Sequence, residues 1–579
     1  MSIQKNSRAL FRASCCCLGL LLLAACSAPG GDDETPPDNA VSPDAPPAAP
    51  VIGADAVSAD EASRFLTQST FGPSEQSIDH LMTIGLSAWL QAEFVKPQES
   101  LLRDVLLDEA AGQEVGATQL SETFWTRAVQ SDDQLRQRVG YALSQIIVAS
   151  YADSQLEDRP VAMANYMDII TAGAFGNFRQ LLENVTYSPA MAIYLTYLQN
   201  QKADADREVV PDENYAREIM QLFTIGLLEL QQNGELRLDG GGNPIETYDN
   251  VDVTELAKVF TGLSWASRER FLGRPDQLES EYLPLVMFDE EHSPEAKSFL
   301  GTTIPPGVGG DQSISIALDT LFNHPNTAPF ISKQLIQRLV TSNPSPSYVL
   351  RVANAFDAGS YLMPNGQNAG SGQRGDMRAV VAAILLDPEA RDPSTTGDDS
   401  FGKIREPVLR FTHWARAFGV QRTEIDDINE LQNTSPPDRL NQQAYRSPSV
   451  FNFYRPGFVA PGSLSGAAGM VAPELQITTA SSVTGYANFI EDFIAGDAAS
   501  ANFSPNYADE LRLANDAAAL IDHLDGILTF GSLSDATRTR SIQAVNSITS
   551  GDGGFTRDER RVHAAILLIM TSADYIIIR

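Results

Sequence analysis

Cysteine is almost missing from this chain of 579 residues: its four copies are Cys15, Cys16, Cys17 and Cys26. Beyond Cys26 the chain can form no disulfide, bind no metal through sulfur and offer no thiol nucleophile. A body without cross-links must hold itself together by burial, and this length suffices for that. Histidine is scarce too, with six copies at 80, 292, 324, 413, 523 and 563. No two of them have the spacing of a zinc-ligand pair. HExxH, GxSxG, Walker A and CxxC are all absent, and the bare GxGxxG spacing of GSGQRG (370–375) follows no strand signal in the sequence. SxxK occurs at Ser2–Lys5 and again at Ser400–Lys403. These absences argue against a zinc hydrolase and a dinucleotide enzyme, so neither a metal nor a cofactor is expected.

Positive charge is in short supply, with 41 Lys and Arg against 74 Asp and Glu, a net charge of −33. Phosphate backbones require clustered cations, so no nucleic-acid partner is expected. A polybasic membrane patch is disfavoured on the same ground. Tryptophan occurs only at 89, 125, 265 and 414. Trp89, Trp125 and Trp414 fall within helical apolar patterns and read as core rather than as platforms for sugars.

The amino-terminal segment has its own character. Lys5, Arg8 and Arg12 precede CCCLGLLLLAAC (15–26), the layout of a secretory signal. The apolar run is too short to span a bilayer, which takes about 20 residues. Leu23, Ala24, Ala25 and Cys26 resemble a lipobox. That resemblance implies cleavage before Cys26, acylation of its sulfur and attachment to a membrane by several acyl chains. Ser27 rather than Asp follows, which by analogy favours the outer membrane. Residues 26–56 are rich in Pro, Ala, Gly and Asp and are expected to form a disordered tether.

From residue 57 to 579 the dominant period is helical, and the expected fold is mostly α: a multi-helical globular body with a small β-hairpin. Ser58 with Glu61, and Asp252 with Glu255, have capping-box spacing. Ser131, Asp132 and Asp133 precede a stripe of Leu135, Val139, Leu143, Ile146 and Ile147. Residues 327–340, 376–386 and 557–572 read as further helices. The hairpin is expected over 235–248, ELRLDGGGNPIETY. No repeat stands out, and only 365–375 and 391–400 resemble internal linkers.

Several segments in order carry a family resemblance. They are SRFLTQSTFGPSEQSIDHL (63–81), DQLRQRVGYALSQIIV (133–148), PDENYAREIMQLFTIGL (211–227), DVTELAKVFTGLSW (252–265) and HSPEAKSFLG (292–301). They continue with FNHPNTAPFISKQLIQRLVTSNPSP (322–346), GDMRAVVAAILLDPEAR (375–391), GKIREPVLRFTHWARAFG (402–419) and RSPSVFNFYRPGF (446–458). Together they resemble the bacterial family called domain of unknown function 1800. The resemblance implies a mostly helical, exported protein and assigns no activity. Members are often encoded beside domain of unknown function 1501 proteins, which look like exported relatives of alkaline phosphatases and sulfatases. This points by association to an exported partner.

Four stretches could carry chemistry. In PDENYARE, Glu213 and Arg217 lie four apart, with Asn214 and Glu218 on the next face. They could serve as acid, base and ligand contacts, or form a cap with a structural ion pair. FDEEHSPEAK places His292 beside Asp289, Glu290, Glu291 and Lys297, although neighbouring residues rarely ligate one ion. Asp204, Asp206 and Glu208 echo the start of an EF-hand loop without its Gly at the sixth position or its Glu at the twelfth. In RSPSVFNFYRPGF, Arg446, Asn452, Tyr454 and Arg455 alternate with Phe451, Phe453 and Phe458. There Arg446 and Arg455 could read an anion at a groove, or the loop could plug the core. The leading expectation is a lipid-anchored envelope protein that binds or assembles with another exported protein. The alternative is an envelope hydrolase using Glu213 and Glu218, with His292, on a polymer.

Overall fold

The structure is a computed structural model that describes residues 55–112, 115–266, 269–275, 277–422, 429–496 and 503–579. The expected export signal, Cys26 and nearly all of the expected tether lie outside these residues. Asp55, the first residue described, already belongs to the body: its carboxylate accepts from the Ser87 backbone N–H and hydroxyl. The body thus includes a residue slightly before the position the hydropathy pattern suggests. All described residues fall in one compact unit spanning Ala49–Arg579.

The fold is mostly helical, and among the described residues its strands occur as two-stranded pairs. Helix starts follow local chemistry. Ser58 and Glu61 form the expected reciprocal box ahead of Ala59–Ser69. The second box is displaced by one turn: Asp249 caps Asn250–Ala257, and Asp252 supplies the returning carboxylate. Glu255 instead pairs with Lys258 and accepts from the Ser298 N–H. Gly262 ends this segment at φ +94°, where a Cβ would meet the Phe288 carbonyl at 2.9 Å. Helices Gln134–Ser144, Thr327–Leu339, Met377–Leu385 and Arg557–Met570 carry the expected stripes inward.

The expected hairpin is present, and a third segment joins it. Leu230 bridges Leu236, Leu238 bridges Pro244, and Leu228 bridges Glu246, so three short segments pair with one another in turn. Asp239 closes the glycine-rich turn by accepting from the backbone of Gly241 and Asn243.

One continuous core runs from the first helix to the last. All four tryptophans are buried in it. Trp125 donates to the Leu431 carbonyl and Trp414 to the Tyr507 hydroxyl. Arg64 ties the polar stretch 391–400 to the body through the Asp392 carbonyl and Thr395. Ile577–Ile578 pairs antiparallel with Lys403–Ile404, which sets the entry to helix Pro407–Ala417. Among the described residues no helix is long and apolar enough to cross a membrane.

Candidate functional site

The first predicted cluster separates into a surface pair and a buried acid. Glu213 accepts from Arg217 at 3.2 Å and from Thr254 at 3.0 Å, and both ends of the ion pair are well exposed. Asn214 reaches Thr196, and its N–H is capped by Asp212. Glu218 closes the short helix Asn214–Glu218 just before a π-helical turn, Ile219–Thr224. Its side chain is buried, and its Oε2 has no hydrogen-bond partner in the protein. Burial raises the Glu218 carboxyl, against the opposing charge of Arg217.

His292 is buried elsewhere. Its Nδ1 meets the Thr261 carbonyl at 2.9 Å and its Nε2 the Ser313 hydroxyl at 3.2 Å. The carbonyl requires a proton on Nδ1, which leaves Nε2 to accept. Burial lowers its pKa, so the ring is neutral. Lys297 is buried and donates to the Ser293 and Glu295 carbonyls, and Asp289 accepts from the Gly310 N–H. This loop is therefore tied by its own side chains. Glu213, Glu218 and His292 share no hydrogen-bond partner. Asp204 folds back on the backbone of Asp206 and Arg207 as a surface turn. Among the described residues no group of three or more His, Cys, Asp or Glu is placed to hold a metal ion.

The aromatic loop divides between interior and surface. Arg446 pairs with Glu157 at 3.4 Å and lies over the Tyr151 ring. Asn452 adopts φ +61°, and beyond this turn Tyr454 is buried while Arg455 is exposed. The Arg455 guanidinium lies 4.7 Å from the Phe451 ring centroid.

Tyr454 leads to a cluster that the sequence did not reveal. Its hydroxyl donates at 2.6 Å to Oε2 of Glu406, which also accepts from Gln442 (2.5 Å), Gln145 (2.7 Å) and Tyr141 (3.2 Å). Burial would raise the Glu406 carboxyl, but the charges of Lys403 and Arg138 and these hydrogen bonds hold it below its ordinary value. Arg138 donates to the Arg338 carbonyl at 2.6 Å. Arg338 donates to the carbonyls of Gln145 and Gln334. Lys403 bonds the same Arg338 carbonyl and pairs with Glu474 at 3.2 Å. Burial brings Arg338 down to about 10, still protonated at neutral pH. Three buried cations thus face two buried carboxylates.

Such an excess of charge in the interior is costly unless an anion balances it. Several polar atoms here also have no partner among the described residues: Arg138 Nε and Nη1, Arg338 Nε, Gln145 Oε1, Glu406 Oε1 and Glu474 Oε2. Buried polar groups are normally satisfied, so a concentration of exceptions marks a place where something else binds. A sequence signal did exist. Arg138, Tyr141 and Gln145 recur at i, i+3 and i+7, and Arg338 follows Ile331 and Leu335 on their inward face.

Above this cluster lies an open groove of about 740 Å³. Its walls include Leu222, Leu227, Phe330, Phe451, Phe458 and Val459, Arg338 and Gln145 line it from the buried cluster, and Arg455 contributes an exposed guanidinium. Leu227 is 55% exposed, Val459 41% and Phe451 37%. Asn326 anchors one wall, donating to the Ile225 and Leu228 carbonyls and accepting from the Leu230 N–H, each at 2.8 Å. Gly226 sits in that wall at φ +70°, where a Cβ would meet Phe330 at 2.7 Å. The lining contains no Asp, Glu, His, Lys, Ser, Thr, Cys or Tyr. It therefore presents no nucleophile and no general base. It can bind apolar surface and a negative charge.

A family model described as "Protein of unknown function (DUF1800)" matches residues 64–577. No curated protein and no solved structure matches the chain.

Proposed function

The chain belongs to the DUF1800 family, and from that footing we propose that it is a lipid-anchored protein of the cell envelope whose groove binds an apolar polypeptide segment of another exported protein. The observation that carries this reading is the groove's lining: exposed large apolar side chains with two arginines and no acid, in a chain of net charge −33. Exposed contiguous apolar surface marks interaction sites. Here it continues to the rim at Leu227 and Val459, more than a small enclosed ligand would cover. An exported protein resembling domain of unknown function 1501 is the proposed partner. Anchorage rests on the lipobox-like residues 23–26, and the Ser at 27 supports the outer membrane.

The test uses the purified full-length lipoprotein and a purified, co-encoded protein of that second family. Leu227→Asp or Val459→Asp should weaken the complex about tenfold or more, since each buries a charge against apolar surface. A complex indifferent to both substitutions, or no complex at all, overturns the docking reading. Mass spectrometry of the mature amino terminus tests the anchor. An acylated Cys26 is expected, and an unmodified terminus rules the anchor out.

A hydrolase built on Glu213, Glu218 and His292 has one observation in its favour. The unpaired, buried Glu218 carboxyl lies at a π-helical turn, a feature frequent at functional sites.

A further inference from the structure

We infer that the groove takes the carboxyl-terminal end of its polypeptide partner, with the terminal carboxylate against Arg338 and the last peptide N–H against Gln145. This inference rests on the docking reading above and specifies which part of the partner enters.

The argument starts from the two polar groups that line the groove from below. Arg338 and Gln145 are each only 5% exposed. Arg338 Nε is an unused donor and Gln145 Oε1 an unused acceptor; both atoms are fully buried, so each side chain must turn toward the ligand to meet it. A donor carrying positive charge beside a neutral acceptor complements a chain end, which presents a carboxylate and one N–H. The charge beneath agrees: Arg138, Arg338 and Lys403 outnumber Glu406 and Glu474, so an added anion reduces the excess. Water could fill the hydrogen bonds but not the missing charge.

The walls favour a chain end over an acidic side chain within a strand. An internal acid reaching Arg338 would carry peptide groups through an apolar channel on both sides, and these would lose their hydrogen bonds. A terminus enters once and brings its carboxylate directly behind its last apolar side chain. The exposed Arg455 guanidinium, with no carboxylate paired to it among the described residues, suits an acidic residue further back along the same segment.

The test is fluorescence anisotropy with full-length protein in detergent and a pool of short, randomised, mostly apolar peptides. The pool is prepared once with free carboxyl ends and once amidated. The free pool should bind, and amidation should weaken binding about tenfold or more, the value of a charge-assisted hydrogen bond. Leu227→Asp should abolish binding of both pools. Arg338→Gln should remove the preference for the free carboxylate. Because it also removes two backbone hydrogen bonds, amidation, which leaves the protein untouched, carries the decision. Equal binding of both pools, still lost in Leu227→Asp, overturns the terminal-carboxylate inference and leaves the docking reading standing. Failure of both pools to bind overturns both. Preferential capture of decanoate with the same dependence on Arg338 overturns the peptide assignment in favour of a fatty acyl ligand.

Discussion

Tyr454 and Glu406, forty-eight positions apart, meet through a 2.6 Å hydrogen bond in the interior. The residue after Tyr454 is exposed above Phe451. One short loop therefore connects the buried acid to the groove. Tyr454→Phe should cost about 1.5–3 kcal/mol, the range for a bond to a charged group. Chemical denaturation checks the value. A change near zero would mean that the other three donors to Glu406 compensate fully.

Asn326→Ala should leave the Ile225 and Leu228 carbonyls and the Leu230 N–H without their partner. At about 1–3 kcal/mol for each unsatisfied buried group, a total loss of about 2–4 kcal/mol is expected after local relaxation. Limited proteolysis should then cut first within residues 227–247. Unchanged cleavage there would show that the ribbon does not depend on this side chain.

Glu218→Gln should stabilise the protein at neutral pH by about 1 kcal/mol, the low end for an unsatisfied buried group, because Arg217 already opposes the penalty. Burial raises the Glu218 carboxyl above its ordinary 4.5. Its favourable contribution is therefore complete below 4.5 and lost as pH rises through the folded value. Melting temperatures of the two proteins should converge in acid and separate toward neutrality. If the variant is instead less stable at neutral pH, the carboxylate has a partner in solution. Loss of a cellular phenotype in a folded variant that still holds its partner would favour the hydrolase reading.

His523 links three helices, with Nε2 2.9 Å from Glu510 and Nδ1 3.5 Å from Glu75. The hydrogen bond to Glu510, against burial, raises its pKa above 6.5. The stabilisation should be complete below 6.5 and fade as pH climbs through the folded value. His523→Gln should flatten the fall in melting temperature across that window. An unchanged slope would assign the titration to another group.

The helices were legible because their apolar residues keep a 3.6-residue period and their caps are local. The second capping box shows the limit of such signals. Asp249 and Asp252 have the same spacing as Asp252 and Glu255, and tertiary demands, Lys258 and the Ser298 N–H on Glu255 among them, separate the two registers. The third ribbon segment was hidden because LLEL at 227–230 reads as the tail of the preceding helix. The aromatic loop reads equally as a groove wall or as a plug of the core, and its residues divide between the two: Arg455 lines a groove, Tyr454 faces inward and Arg446 pairs with Glu157. Arg138, Arg338 and Glu406 were missed because a charge beside an apolar stripe is normally assigned to solvent. Most of their partners lie tens to hundreds of residues away, where no spacing rule reaches.

The ion cluster draws Arg138, Arg338, Lys403, Glu406 and Glu474 from points scattered along most of the body. A nascent polypeptide that has emerged only as far as helix Thr327–Leu339 holds both arginines and neither counter-charge. It has no means of sealing that interior. The early half must wait, open and adhesive, for the later half, and a holding chaperone would serve this sequence better than stepwise folding.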